Sequence, residues 1–452
     1  MKTRRPLRSI GLSLFATVIT VSGQSGILDL TKLENYSAQP VPAYITRDNT
    51  PGGPNPNPIT DAGATLGRVL FYDKRLSANS TISCASCHQQ AFAFGDPATA
   101  STGVAGTTGR HSMRLVNSRF SQERRFFWDE RADTLEIQTT QPIRDHVEMG
   151  FSGANGDPAF ADLVTRLSAI AEYRVLFTAT FGTATIDENR VRRALAQFVR
   201  SIQSFDSKYD VGRAQAANNG VPFLNFTAQE NNGKALFGTP PNQGGAGCAA
   251  CHRAPEFDID PNSLNNGIIN VIAGGTDLTN TRSPSLRDVF RQDLARPNGP
   301  SMHDGSRATL ADVINHYIAP AANANLDPRL ARPPLNLNAQ QRNDLVAFLR
   351  TLSGSAVYTD PKWSSPFNSE GQLTLIVLST VATSLQTNGN GTANLVSTGA
   401  PGLPYRVESS TDLSRWDLVT TLNADTNGNL QHSIPTSGTS TFYRFTYIPP
   451  SI

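Results

Sequence analysis

The sequence predicts a mostly α-helical protein made of two related lobes, followed by a small C-terminal β-sandwich. Apolar residues recur at helical spacing in several segments between residues 61 and 352. A C-x-x-C-H motif occurs twice, each time after a helical segment that ends in Leu-Phe, which favours two similar lobes. From about residue 371 the chain changes to short β-forming runs separated by Asn-Gly turns, as in β-hairpins.

The first 23 residues have the composition of a secretory signal peptide. Basic residues open the segment, an apolar run over 10–21 is too short to span a bilayer, and Ser22 and Gly23 suit cleavage. Residues 38–60 are rich in Pro, Asn and Gly, which predicts that the segment over 24–60 is irregular. We therefore expect a periplasmic or secreted protein without a membrane span.

The charge balance does not favour a nucleic-acid partner. The chain has 39 basic and 37 acidic residues, and four of the basic ones belong to the leader (Lys2, Arg4, Arg5 and Arg8). The mature chain therefore carries 35 basic residues against 37 acidic ones. No basic excess is left to bind a phosphate backbone.

Residues 61–220 are expected to form the first lobe. A helix is predicted over 61–71, with Asp61 near its start, and a motif formed by Cys84, Cys87 and His88 follows. Two thiols at this spacing can each add to a vinyl group of a haem, and the adjacent histidine can then bind the iron. Helical spacing continues over 158–182 and 187–205.

Residues 221–357 are expected to form the second lobe. Its motif consists of Cys248, Cys251 and His252 and lies between helices predicted over 227–237 and 338–352. A structural zinc pair, a thioredoxin-like redox motif or a free thiol pair would fit one such motif alone. The second copy, which uses the last of the four cysteines, favours two covalently bound haem c groups instead.

The C-terminal part begins with a linker predicted over 358–370. Residues 371–452 follow as a β-sandwich-like domain, in which Trp416 is expected to be a core residue rather than a sugar-binding platform. No group of residues in this domain indicates catalysis.

Several sequence blocks follow one another along the helical part of the chain. They include "LGRVLFYDKRLSANSTISCASCH", "FFWDERADTLEIQTTQPIRDHVEMG", "TRSPSLRDV" and "MHDGSRATLADVINHY". In this order, residues 66–352 resemble a bacterial di-haem cytochrome c peroxidase of the MauG type. The resemblance implies two cytochrome-c-like lobes, with a peroxidatic haem in the first and an electron-transfer haem in the second.

The resemblance also implies roles for individual residues. His88 and His252 match the iron ligands, Trp128 an electron relay between the haems, Glu148 the distal acid of the peroxidatic haem, and Gln138 and Pro142 other distal positions. A carboxylate above the iron can move a proton between the two oxygens of a peroxide, first as base and then as acid. Without the resemblance, Trp128 would be taken as a buried core aromatic and Glu148 as a solvated helix-end acid.

Two positions depart from the pattern of related peroxidases. Val104 stands where those enzymes place a histidine that caps the peroxidatic iron, so the iron at His88 is expected to be open, with His111 as the nearby alternative cap. Tyr317 stands where they cap the second haem with methionine; MauG-type enzymes use tyrosine there, and Met302 is the rival ligand. A phenolate would stabilise ferric iron more than a thioether does.

The resemblance further implies a calcium ion between the haems, bound by an asparagine side chain and backbone carbonyls. His111 replaces the asparagine here, and the carbonyls belong to Asn298 and Pro300. Calcium prefers oxygen ligands, so the imidazole suits it poorly. The sequence leaves calcium binding open.

We expect the protein to reduce hydrogen peroxide to water. Electrons would come from an external donor such as a small cytochrome c and pass from the C-terminal haem to the N-terminal one. One alternative is a MauG-like oxidation of a partner protein or other external substrate, which Tyr317 favours. The other is a non-catalytic di-haem electron carrier with a binding domain, which Glu148 argues against; a homodimer is left open.

Overall fold

A computed structural model of the chain describes residues 26–377, 384–388, 390–399, 402–425, 428–436 and 441–448. The signal peptide predicted at 1–23 lies outside these residues. Within them, no helix combines the length and the apolar character that crossing a membrane requires.

The part of the chain before residue 354 is helix-rich. Its α-helices, in the described residues, are α1 (Asp61–Tyr72), α2 (Cys84–Cys87), α3 (Leu135–Arg144), α4 (Phe160–Ser168), α5 (Ala171–Phe181), α6 (Glu188–Ser201), α7 (Lys208–Gln215), α8 (Ala228–Gly238), α9 (Leu310–Ile318) and α10 (Ala339–Arg350). Short strand pairs join the loops: β2 (Thr102–Gly103) with β3 (Gly106–Thr107), β4 (His252–Arg253) with β5 (Asp258–Ile259), and β6 (Phe290–Arg291) with β7 (Arg296–Pro297).

Side-chain caps explain where several helices begin. Thr60 accepts from Gly63 N ahead of α1, and Asp187 accepts from Arg190 N ahead of α6. The predictions over 61–71, 187–205, 227–237 and 338–352 are confirmed as α1, α6, α8 and α10. The helical spacing over 158–182 is divided between α4 and α5, because Ile170 N bonds to Leu167 O and the turn tightens there.

The two lobes repeat one helix crossing. Gly67 of α1 lies so close to α6 that a Cβ would overlap the carbonyl oxygen of Ala194, and Phe71 packs at 5.1 Å from Phe198. This crossing brings α1 to the start of the first C-x-x-C-H motif and leaves the motif beside the core of the first lobe.

The second lobe shows the same crossing between α8 and α10. A Cβ on Gly233 would overlap the carbonyl oxygen of Asp344, and the rings of Phe237 and Phe348 are 5.2 Å apart. The shared sequence is Gly-Arg-Val-Leu-Phe in α1 and Gly-Lys-Ala-Leu-Phe in α8. The two lobes are therefore related in structure as well as in motif.

Strands form the C-terminal region, and two three-stranded antiparallel sheets account for most of it. One has the order β13 (Asn429–Pro435), β10 (Thr392–Thr398), β9 (Ser384–Thr387), and the other β12 (Asp417–Asn423), β11 (Pro404–Ser410), β14 (Phe442–Tyr447). The strand β1 (Ile27–Asp29), in the segment expected to be irregular, pairs in parallel with β8 (Thr374–Ile376).

Residues 358–370, predicted as a linker, pack against the first lobe. Trp363 is buried, and its carbonyl oxygen accepts from the hydroxyl of Tyr72 at 2.7 Å. Arg68 Nε donates to Ser364 O at 2.8 Å. This segment therefore lies on α1, and apolar residues from it and from both sheets belong to the apolar cluster of the first lobe.

The expectation that Trp416 is a core residue is wrong. Trp416 is half-exposed, and the guanidinium of Arg444 lies 4.1 Å from its ring centre. The indole precedes β12, whose residues are mostly exposed, so it stacks on a neighbouring cation instead of entering the core.

Candidate haem sites

The first C-x-x-C-H motif is held on one turn of helix. Cys84 and Cys87 begin and end α2, and His88 N bonds to Cys84 O at 2.9 Å, so the three side chains share one side of the turn. His88 Nδ1 lies 3.2 Å from the carbonyl oxygen of Phe94. Because a carbonyl can only accept, Nδ1 carries the proton and Nε2 is left for a metal.

A cavity of about 590 Å³ opens over this motif. Its walls bring together residues that are far apart in sequence: Cys84, Cys87, His88, Trp128, Gln138, Pro142 and Glu148. These are the residues that the sequence assigned to the peroxidatic haem.

The position of Glu148 follows from the end of α3. Gln138 and Pro142 lie one turn apart on that helix, and Asp145 ends it as the C-cap. Asp145 Oδ1 then accepts from Val147 N at 2.8 Å and Glu148 N at 2.9 Å, which turns Glu148 towards the cavity. The backbone of Gly103 lies against this turn, where a Cβ would overlap the carbonyl oxygen of Val147.

The surroundings of Glu148 favour its neutral form. Burial raises the pKa of Glu148 to about 7, the negative charge of Asp145 adds to the rise, and the positive charge of Arg131 opposes it. Near neutral pH this side chain can therefore both accept and donate a proton. Arg131 also lines the cavity, and the sequence did not single it out.

The second motif lies in a separate and larger cavity of about 1170 Å³. A 3₁₀ turn, Cys248–Ala250, carries the first cysteine, and Cys251 and His252 follow it. Burial lowers the pKa of His252 to about 4, so the ring is neutral. His252 Nδ1 is buried and has no hydrogen-bond partner in the described residues.

Both candidate sixth ligands of the second haem line this cavity. Asn266 Nδ2 lies 3.3 Å from Tyr317 Oη and 3.4 Å from Met302 Sδ, so one amide contacts both side chains. Burial raises the pKa of Tyr317 to about 12, while the hydrogen bond from Asn266 lowers it. Tyr317 and Met302 therefore lie at the same part of the second cavity wall, joined by Asn266.

Trp128 stands between the two cavities and lines both. Its Nε1 donates to His111 O at 2.8 Å, and its own carbonyl oxygen accepts from Thr281 N and Arg282 N. The ring lies 6.1 Å from that of His303. These contacts fix the indole to the second lobe as well as to the first.

Of the candidate capping and calcium residues, some line the cavities and others do not. Val104 does not line the first cavity: its N–H bonds to Glu148 O in the distal turn. His111 lines both cavities, but its Nδ1 donates to Thr99 O at 3.2 Å. Pro300 lines the second cavity, and Asn298 lines neither.

The surroundings of His111 do not fit a calcium ion. Its ring nitrogen points a hydrogen at a carbonyl oxygen of the kind that would bind the cation. Among the described residues, no three His, Cys, Asp or Glu side chains come together as a metal site. Calcium at the carbonyls of Asn298 and Pro300 stays a prediction.

The two cavities fit covalently bound haem. All four cysteines are free thiols at the cavity walls, and burial raises the pKa of Cys84 and of Cys248 to about 12. Each pair is followed by a half-buried histidine whose pKa is lowered by burial. Cysteine pairs would hold the porphyrin, and His88 and His252 the iron.

Comparison with known families agrees with this assignment. The profile described as di-haem cytochrome c peroxidase matches residues 61–217, and the cytochrome c profile matches residues 231–353. The two sheets of the C-terminal region lie outside both matches.

The similar proteins fall under two names, MauG and cytochrome-c peroxidase. The methylamine utilization protein MauG of Methylorubrum extorquens is 32% identical over 74% of this chain and 90% of its own. The cytochrome-c peroxidase IdrP1 of Denitromonas iodatirespirans is 28% identical over 79% of this chain and 96% of its own.

The likeness extends to solved structures. A MauG-like protein associated with microbial copper homeostasis superposes with a TM-score of 0.58 at 30% identity, over 73% of this chain and 99% of that protein. Together with the two motifs and their cavities, these matches show that the chain belongs to the di-haem cytochrome c peroxidase family, which includes the MauG proteins, and is a peroxidase-type oxidoreductase with covalently bound haem c.

Proposed function

We propose that this protein reduces hydrogen peroxide to water in the periplasm, with electrons from a small redox protein such as a cytochrome c. The balance is one peroxide, two protons and two electrons for two waters. Glu148 carries the proposal, because a carboxyl with a pKa near 7 lines the same cavity as Cys84, Cys87 and His88. A haem that only carries electrons needs no such acid.

The carboxylate of Glu148 acts on the protons of the peroxide. It takes a proton from one oxygen of hydrogen peroxide and returns it to the other oxygen, which leaves as water. Gln138 and Arg131 line the same cavity and orient the peroxide by hydrogen bonding and charge. When bound, the haem supplies an iron that accepts and releases single electrons.

Trp128 provides the contact between the two haem sites. Electrons from the donor enter at the second lobe and reach the first through the wall that Trp128 forms, because this indole lines both cavities. Its hydrogen bonds to the backbone of both lobes hold it in place for that role.

A second candidate function is the oxidation of a partner protein or other external substrate. Tyr317 favours it, because a phenolate in the second cavity would stabilise ferric iron and disfavour electron uptake from a donor of high potential. The relative of Methylorubrum extorquens is named MauG, as are two other similar proteins. Under this proposal the same Glu148 chemistry on peroxide supplies the oxidising power.

Under either proposal, the C-terminal strands take no part in the reaction itself. Side chains from both sheets, among them Leu395, Val407, Leu430 and Phe445, are buried in one apolar cluster, which supports a sandwich of the two sheets. Neither cavity is lined by residues of these strands. The domain supports the first lobe rather than the reaction.

The test is the substitution Glu148→Gln, which keeps size and removes the titratable group. The rate of peroxide consumption with a reduced cytochrome c should fall by about 10²–10⁴-fold, the usual contribution of a general acid–base. Glu34→Gln, at an exposed site remote from both cavities, is the matched control and should leave the rate unchanged. Equal rates in the two variants would remove Glu148 from the mechanism.

A further inference from the structure

Six arginines line the two cavities, and all but one have partners in the described residues. Five of these arginines bond to acidic side chains, to an amide or to backbone carbonyls: Arg110, Arg131, Arg282, Arg329 and Arg332. Arg114 makes no hydrogen bond or ion pair with any described residue, and its Nε is buried without a partner. It is the exception that calls for an explanation.

Arg114 is also held in one place. A Cβ added to Gly95 would lie 2.7 Å from Arg114 Cγ, so the stem of the arginine packs on that glycine. The next residue is fixed by the bond from Leu115 N to Phe94 O. The stem therefore lies beside the carbonyl partner of His88, on the wall that separates the two cavities.

Arg114 belongs to the walls of both cavities. Arg114 lines the first and the second, as Trp128 and Arg282 also do. Arg282, in contrast, donates to the carbonyl oxygens of Glu123 and Arg125, so its charge is already solvated by the protein. Among the described arginines, Arg114 alone presents an unbonded cation to the space that the cofactors would fill.

In the described part of the chain, no acidic side chain forms an ion pair with Arg114. Asp288 is the carboxylate with the largest electrostatic effect on Arg114, but no ion pair joins them within 4.0 Å. Asp288 Oδ1 instead accepts from Tyr358 Oη at 3.0 Å and Gly354 N at 2.9 Å. Burial lowers the pKa of Arg114, as expected of a guanidinium that lacks an anion.

Desolvating a guanidinium without an anion is costly, and a guanidinium pairs best with a carboxylate through two parallel hydrogen bonds. The carboxylates that enter these cavities are the propionates of the haem groups. We propose that Arg114 is the shared counter-ion of the two cofactors, with its guanidinium bonded to a propionate of the haem in each cavity. The proposal rests on haem in both cavities and is independent of whether peroxide is the substrate.

The test compares reduction potentials in the purified di-haem protein. A positive charge beside both haems favours the reduced state, so Arg114→Met should lower the midpoint potential of both haems in a spectroelectrochemical titration. Arg124→Met removes the same charge from an exposed site and should move neither. A shift of one haem only, or equal shifts in the two variants, would overturn the proposal.

A second variant tests the proposal if the Arg114→Met protein does not fold or does not take up haem. Arg114→Lys keeps the charge but not the two parallel donors. Both potentials should stay close to the wild type, while the propionate bending bands in resonance Raman spectra shift for both haems. Unchanged bands, or potentials that fall in this variant, would contradict a propionate contact. Neither readout needs turnover, so a failure here is distinct from a failure of the peroxidase proposal.

Discussion

Burial raises the pKa of Glu148 to about 7, so the charge of this side chain changes near neutral pH. Only the carboxylate form can take a proton from peroxide, so kcat/KM for peroxide should rise with pH and be half-maximal near pH 7. As the pH falls through this value the carboxyl is protonated and the rate is lost. A flat profile between pH 5 and 9, or the same acidic limb in Glu148→Gln, would contradict this role.

Asn266 contacts both Tyr317 and Met302 in the second cavity. Two substitutions distinguish which of these side chains is the sixth ligand of the second haem. If the phenolate binds iron, Tyr317→Phe should change the absorption and EPR signals of the second haem and leave the first unchanged. Met302→Leu, of similar size, should then leave both spectra unchanged. The reverse pattern would identify the thioether as the ligand.

The sequence predicted the haem-attachment residues because their chemistry needs a fixed local spacing. Cys84, Cys87 and His88 lie close together in the sequence around one helical turn, so their spacing alone identifies the motif. Arg114 and Asn266 could not be predicted in this way. They lie in loops, and only tertiary contacts bring Arg114 to both cavities and Asn266 to Met302 and Tyr317.

At the scale of elements, the closest approach of α8 and α10 depends on Gly233. Gly233→Ala should lower the free energy of unfolding by about 1–3 kcal/mol, the usual cost of overpacking, because a methyl group would overlap Asp344 O. Gly238→Ala in the same helix meets no atom within 4 Å and is the control.

The control variant, Gly238→Ala, should change the free energy of unfolding in the opposite direction. Alanine is a better helix former than glycine, so Gly238→Ala should raise the stability by up to about 1 kcal/mol. Urea unfolding followed by circular dichroism measures both changes. A Gly233→Ala protein as stable as the wild type would show that the helices can move apart without cost.

Helix positions were predictable where caps and apolar spacing agree. Thr60, Asp187, Thr227 and Asn338 each accept a backbone N–H at the start of a helix, close to the predicted boundary. The break between α4 and α5 has no proline or glycine to signal it. It arises from a tightened turn at Ile170 and from Arg174 Nη1, which caps Ser168 O at 3.0 Å.

Across the whole molecule, the strand region stabilises the first lobe. Phe445 is fully buried in the cluster that also holds residues of α5, and Gly402 lies near the guanidinium of Arg174. Phe445→Ala should therefore cost about 3–5 kcal/mol, as for other buried phenylalanines. Amide hydrogen exchange should become faster in α5 but not in α10, which belongs to the separate cluster of the second lobe.

The same strand offers a matched control. Phe442 is 45% exposed, so Phe442→Ala should leave exchange in α5 as in the wild type. Equal exchange in the two variants would show that the strand region and the first lobe are independent. The sequence indicated strands here but not this shared core, because the contacting residues are more than two hundred positions apart.

The parallel pairing of β1 with β8 has a consequence for the order of folding during synthesis. Ile27 pairs with Thr374, so the first described strand has no partner until most of the chain has been synthesised. Pairings between such distant residues form late, because a long loop must close first. Cys84 and Cys248 are both synthesised before Thr374, so both haem-attachment motifs are complete before these two strands can pair.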